Sequence, residues 1–212
     1  MGASCRDSAV FPGAAEAPAR RLPRRSPSSR SGAHPPGGPS MYYLAIRQFM
    51  RSLKNLDDIM GKAQKYAETR GFSADNFCNA RIFPDMLPFN AQIRIACDSA
   101  KAAAANLSSK AAPTHEDNET TFAELRGRIA KCLGYLETLS AKDFERTQAD
   151  QPVKMPDRPN RPGKTLRAQE YLVARQIPNF YFHVVTAYDI LRQGGVEIGK
   201  SDYLGALEYL EG

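Results

Sequence analysis

MYYLAIRQFMRSLKNLDDIMGKAQKYAETRG, residues 41–71, decides the fold. Apolar side chains recur at Tyr42, Ile46, Phe49, Leu53, Leu56, Met60, Ala63 and Ala67, in steps of 4, 3, 4, 3, 4, 3 and 4. This heptad rhythm lays one narrow apolar stripe along a long helix. Gly71 stops it, because glycine enters the left-handed conformation that closes a helix at no steric cost. Such a stripe calls for helical partners at the shallow crossing angle of a left-handed bundle.

A second seam lies further along, at Phe122, Leu125, Ile129, Cys132, Leu136 and Leu139, in steps of 3, 4, 3, 4 and 3. Thr121-x-x-Glu124 precedes it in the pattern of a capping box. Two clean seams predict an all-α four-helix bundle. Between them, PDMLP (84–88) opens another helix, with Asp85 expected as its N-cap. Its inward side runs through Phe89, Ile93, Ala96, Ala100, Ala103 or Ala104, and Leu107, and the alanine block 102–105 predicts close helix–helix approach. Residues 72–83 are expected to be a connection with at most a short helical turn, and 108–118 a polar loop.

Residues 140–166 are polar and broken by Pro152, Pro156, Pro159 and Pro162, which predicts a long loop or a small β-hairpin. The fourth helix begins near Leu166 or Arg167 and meets Pro178, which must kink or interrupt it. It ends at Gly194-Gly195. The final SDYLGALEYLEG is long enough for one short helix, with Ser201 as its expected cap.

Residues 1–40 differ in kind. They hold seven of the fifteen prolines and five glycines, and they have no helical or strand period. With no apolar face to offset the entropy of ordering, this segment is expected to be a disordered tail, and 41–212 the bundle domain. Two readings of the tail stand. A transit peptide is Arg- and Ser-rich but also amphipathic, which these prolines forbid. We favour the other, an extension ahead of a translation start at Met41.

The tail also carries most of the charge. Its six arginines against Asp7 and Glu16 give +4 of the overall +6, leaving the bundle nearly neutral. A nucleic-acid footprint needs basic groups clustered on a folded face, so nucleic acid is not an expected partner. No apolar run approaches the ~18 residues of a membrane span, and no secretory signal opens the chain. A cytoplasmic protein without membrane association is expected. Cys5, Cys78, Cys97 and Cys132 are too widely spaced for a C-x-x-C redox or zinc motif, and Cys97 and Cys132 fall in apolar helical patterns. Buried free thiols in a reducing compartment are expected.

One histidine faces inward. Phe180, His183, Val184, Ala187 and Leu191 share a helical face, so His183 points into the bundle. It is either a satisfied core histidine or a residue for ligation or proton transfer. Asn179 lies four residues earlier on that face, and Gln92 lies about two turns into the second helix. Asp98 and Lys101, at i and i+3, are expected to form a solvated pair of small value. Phosphate loops, a G-x-S-x-G elbow and H-E-x-x-H are absent from the sequence.

MYYLAIRQFMRSLKNL, RIFPDMLPFNAQIRIACDSAKAAAANL, TFAELRGRIAKCLGYLETL and PNFYFHVVTAYDILRQGGVEIGKSDYLG together resemble the family called domain of unknown function nineteen ninety-three. The resemblance covers roughly residues 41–205. It implies a bundle of the DinB and YfiT-like type, a group of metal-dependent, often thiol-linked enzymes. That group binds a divalent metal through one histidine on the second helix and H-x-x-x-H on the last. Here Asn179-x-x-x-His183 resembles that pair with its first histidine replaced, and Gln92 stands near the position of the second-helix histidine. His34 and His115, in the tail and a polar loop, complete no such set. Amides are poor ligands for zinc or nickel, so no cofactor is expected, with a divalent metal left as the alternative.

Two functions stay open. One is a bundle without catalysis, structural or binding an unidentified small molecule, with a homodimer as its expected assembly. The alternative is an enzyme of the DinB/YfiT-like type, a metal- or thiol-dependent transferase or hydrolase, using His183 as base or ligand beside Asp85, Gln92 and Asn179. We favour the first, because one histidine without a nucleophile motif is thin support for catalysis.

Overall fold

The computed structural model describes residues 38–108, 110–157 and 162–210. The expected disordered tail therefore falls almost wholly outside the described residues. Four long helices form the bundle: α1 (Met41–Arg70), α2 (Phe89–Ser108), α3 (Phe122–Glu137) and α4 (Ile177–Gln193). A short α5 (Lys200–Leu204) packs back on α1. α2 lies between α3 and α4, and α1 also touches both of those helices. That arrangement puts α3 and α4 at opposite corners, with α1 and α2 on the other diagonal.

Both seams face the core. Every residue of the α1 seam and of the α3 seam is buried, as is the whole inward row of α2 from Phe89 to Leu107. Gly71 closes α1 at φ +74°, with its N–H and that of Phe72 satisfying the last carbonyls. The capping box on α3 is complete. Thr121 Oγ1 accepts from Glu124 N–H at 3.2 Å, and Glu124 accepts from Thr121 N–H at 2.9 Å. These backbone donors pull the Glu124 carboxyl down to about 2. The 3₁₀ turn Ala74–Phe77 adds a second cap, since Asp75 accepts from Phe122 N–H at 2.7 Å.

Two expected caps are corrected. Asp85 does not cap α2; it sits in an exposed turn, and the helix begins only at Phe89. Pro88 is the reason, because the residue before a proline is pushed out of the α region and Leu87 cannot be helical. Nor does Ser201 cap the last helix. Gly199 holds that position, and its N–H donates to Asp202 at 2.8 Å.

Residues 140–166 contain the hairpin. Strand β1 (Pro152–Lys154) pairs antiparallel with β2 (Thr165–Arg167), Val153 opposite Leu166. The hairpin runs directly into one α turn, Ala168–Glu170, and then a π-helical segment, Tyr171–Gln176, which leads into α4. Pro178 thus interrupts the helix by widening the turns ahead of it rather than by breaking the rod. Proline offers no N–H to the carbonyl four residues back, and the wider i→i+5 pattern, seen in Ile177 N–H bonding Leu172 O, lets later donors serve those carbonyls.

The Asp98–Lys101 pair is also corrected. Its members are 3.1 Å apart, but they belong to a larger cluster around Arg128 on α3, whose side chain is only 1% exposed. Arg128 reaches Asp98 and Glu119 at 2.8 Å each, Asp117 at 3.1 Å and the Glu116 carbonyl at 3.0 Å. Lys101 adds a 3.2 Å contact to His115. Burial works against the Arg128 charge, but Glu119 and Asp98 more than offset it and hold the guanidinium above its ordinary range. The cluster fastens the 113–119 loop across α2 and α3.

Candidate functional site

Where α2 packs against α4, a polar row runs along each helix. On α2 the row is Gln92, Ser99 and Asn106, at i, i+7 and i+14; opposite it lie Arg175, Asn179 and His183, at i, i+4 and i+8. The α2 spacing and the Asn179–His183 step keep side chains on one helical face, and Arg175 joins them from the π segment ahead of α4. Ser99 from the first row and all three residues of the second line a cleft of about 360 Å³, with Leu87, Ile95 and Asp98 beside them.

His183 is 7% exposed, and its Nδ1 lies 2.7 Å from Gln92 Oε1. Gln92 Nε2 donates to the Leu87 carbonyl at 2.9 Å. That second bond fixes the amide, so Oε1 must be the acceptor toward the ring. The His183 Nδ1 therefore carries the proton, and Nε2 holds the lone pair. No hydrogen bond to a described residue occupies Nε2. The ring meets Phe182 edge-on, with centroids 5.3 Å apart. Asn179 Nδ2 donates to Ser99 Oγ at 2.6 Å, and Ser99 passes its own proton to the Ile95 carbonyl at 2.7 Å.

Two of the four expected site residues, Asn179 and His183, thus line one cleft, and Gln92 bears on it through its bond to His183. Asp85 does not join them. Only its neighbour Leu87 does, through a carbonyl and an apolar wall. Ser99, Arg175 and Gln176 line the same space without having been singled out in the sequence. The signal for Ser99 was present as the heptad of polar residues on α2. For Arg175 and Gln176 it was hidden, since an α-helical projection does not apply across a π segment.

Burial pushes the His183 imidazole below its ordinary 6.5. His115 is pushed down too, by burial first and then by the Lys101 and Arg128 charges. The unfolded chain takes up protons near 6.5 while the folded chain resists, so stability should fall as pH drops below that value. The contribution is complete above 6.5 and is lost as pH falls through the lowered folded values. In His183→Gln, urea midpoints measured across this range should fall less steeply than in the wild type. An identical slope would mean that His183 protonates as readily folded as unfolded.

The sequence profile of a family described as a domain of unknown function, DUF1993, matches residues 41–204. The chain belongs to that family. Among solved structures it is similar to a DinB family member from Shewanella denitrificans, with 44% sequence identity and a TM-score of 0.74. The match covers 81% of this chain and 96% of that one, so this DUF1993 protein is DinB-like in fold and in sequence. No curated protein matches it.

The DinB resemblance implies a metal, and the donor set is the test of it. Among the described residues, no three His, Cys, Asp or Glu side chains are grouped to hold a metal ion. In the cleft, Gln92 Oε1 is bonded to His183 and Asn179 Nδ2 to Ser99. Asp98 is engaged by Arg128 and Lys101. One imidazole with two neutral amides, one of which already spends its oxygen on His183, does not fit a site for zinc or nickel. No helix among the described residues is long and apolar enough to cross a membrane.

Proposed function

We propose that this protein is a DinB-like bundle that binds a small, hydrogen-bonding organic molecule in the α2–α4 cleft without a metal. The observation that carries this reading is the His183–Gln92 pair, which leaves Nε2 as an acceptor with no partner among the described residues. A hydroxyl or amine of the ligand would donate to Nε2, and the Asn179 carbonyl oxygen supplies a second acceptor one helical turn away. Leu87 and Ile95 provide the apolar wall that a small-molecule site needs.

A second reading is favoured by the same neutral ring. An imidazole kept unprotonated near neutral pH is suited to act as a general base on the bound group. Native mass spectrometry of untagged protein separates these from the metal enzyme. We expect a small organic adduct and no stoichiometric metal, with the adduct lost in His183→Ala and Asn179→Ala. About one equivalent of zinc, nickel or iron per chain, lost in His183→Ala, would overturn the proposal.

A further inference from the structure

The cleft does not end at Arg175. A second hollow of about 270 Å³ adjoins it and shares Ala102, Arg175 and Gln176 with it. Its remaining walls come from α2, the hairpin and the π segment, with Asn106, Met155, Lys164 and Tyr171 among them. Two cations, Arg175 and Lys164, line this hollow, and no described carboxylate does. Neither cation forms an ion pair or a side-chain hydrogen bond with a described residue. Asp157, on the hairpin connection, instead accepts from Gly163 N–H at 2.7 Å.

A buried amide beside the hollow is also unsatisfied. Gln176 is 2% exposed, and its Nε2 donates to the Tyr171 hydroxyl while its Oε1 has no partner among the described residues. These two residues are five apart, which would splay them in an α-helix but stacks them in the π segment. Asn106 Nδ2 also donates to Tyr171, at 2.9 Å, so the phenol proton itself lacks an acceptor. Turning the Gln176 amide over pairs that proton with Oε1 and leaves Nε2 as the one unpaired group. Buried polar groups are rarely left without a partner, and here the open partner is an acceptor.

The geometry points to an anion subsite at Arg175, Lys164 and Gln176, so the ligand of the α2–α4 cleft is a small organic acid. This rests on the proposed function and names its ligand class. The acid group sits between the two cations, and a hydroxyl or amine at the other end of the molecule donates to His183 Nε2. Arg175 and His183 are eight residues apart, roughly 10–12 Å along the helix axis. Ile95 and Ala102 supply apolar surface for an alkyl or aryl spacer, and the Asp98 carboxylate that shares this wall is neutralised by Arg128 and Lys101.

Calorimetric titration with 8-hydroxyoctanoate, octanoate and octane-1,8-diol tests this, since an extended chain of that length spans about 10 Å. The hydroxy acid should bind the full-length protein about tenfold or more tightly than the diol. Arg175→Gln should bring it to the level of the diol, and Arg175→Lys should keep most of the difference. Both variants should melt with the wild type, because the Arg175 side chain forms no ion pair or hydrogen bond with a described residue. If acid and diol bind equally and His183→Ala abolishes both, the anion subsite is wrong and the cleft reading stands. If the acids depend on Arg175 while His183→Ala changes nothing, the subsite stands and the role of His183 falls. No binding by any of the three compounds would overturn the inference.

Discussion

Phe180→Ala is expected to remove about 3–5 kcal/mol of stability, a large share of what a domain of this size has. Phe180 is fully buried, and its ring lies 4.3 Å from that of Phe49 on α1 and 5.2 Å from Tyr181. It is where α4 meets α1, and the helices on either side are too well packed to collapse into the space it leaves. The loss should appear in urea as a lower midpoint with an unchanged slope. A loss below about 1 kcal/mol would mean that α1 and α4 are not held by this pair.

Arg128→Met should cost about 3 kcal/mol, although methionine fills much of the same space. The substitution leaves Asp98, Asp117 and Glu119 around one point without the charge that gathers them. Glu119 contributes most, since its side chain is 11% exposed against 41% and 64% for Asp98 and Asp117, which water and salt already screen. Added salt should therefore restore part of the loss. Arg128→Lys should restore only part as well. A single ammonium cannot serve Asp98 and Asp117 from one nitrogen and Glu119 and the Glu116 carbonyl from another, as the guanidinium does. An Arg128→Met protein as stable as the wild type would show that the cluster does not hold the 113–119 loop.

Much of this architecture was legible because burial imposes a period. The seams of α1 and α3 and the inward row of α2 are rows of apolar residues that only a helix brings to one side. The Thr121–Glu124 box was legible because it is local chemistry. Residues whose meaning depends on a partner far along the chain were not. Arg128, three residues after Leu125 and four before Cys132, stands at an inward position. Nothing in its neighbourhood says that Asp98, thirty residues earlier, will meet it. Asp98 and Lys101 were misjudged for the same reason.

The site was half legible. His183 and Asn179 follow from the apolar face of α4, and Gln92 from its place beside Ile93 on α2. Asp85 was misplaced because the constraint Pro88 puts on Leu87 outweighs a good capping side chain. Arg175 and Gln176 were missed because Pro178 shifts the helix to a wider turn ahead of it, and that changes which residues share a face.

The most direct measurement of the central claim is the ¹⁵N spectrum of the His183 imidazole in untagged protein. Burial predicts a neutral ring at pH 7 that takes up a proton only below its ordinary 6.5, and the hydrogen bonds of Gln92 place its proton on Nδ1 and leave Nε2 bare. Stoichiometric zinc should leave both nitrogen signals where they are. A proton on Nε2 would contradict the account, as would a charged ring at neutral pH or a zinc-induced shift that saturates at one equivalent.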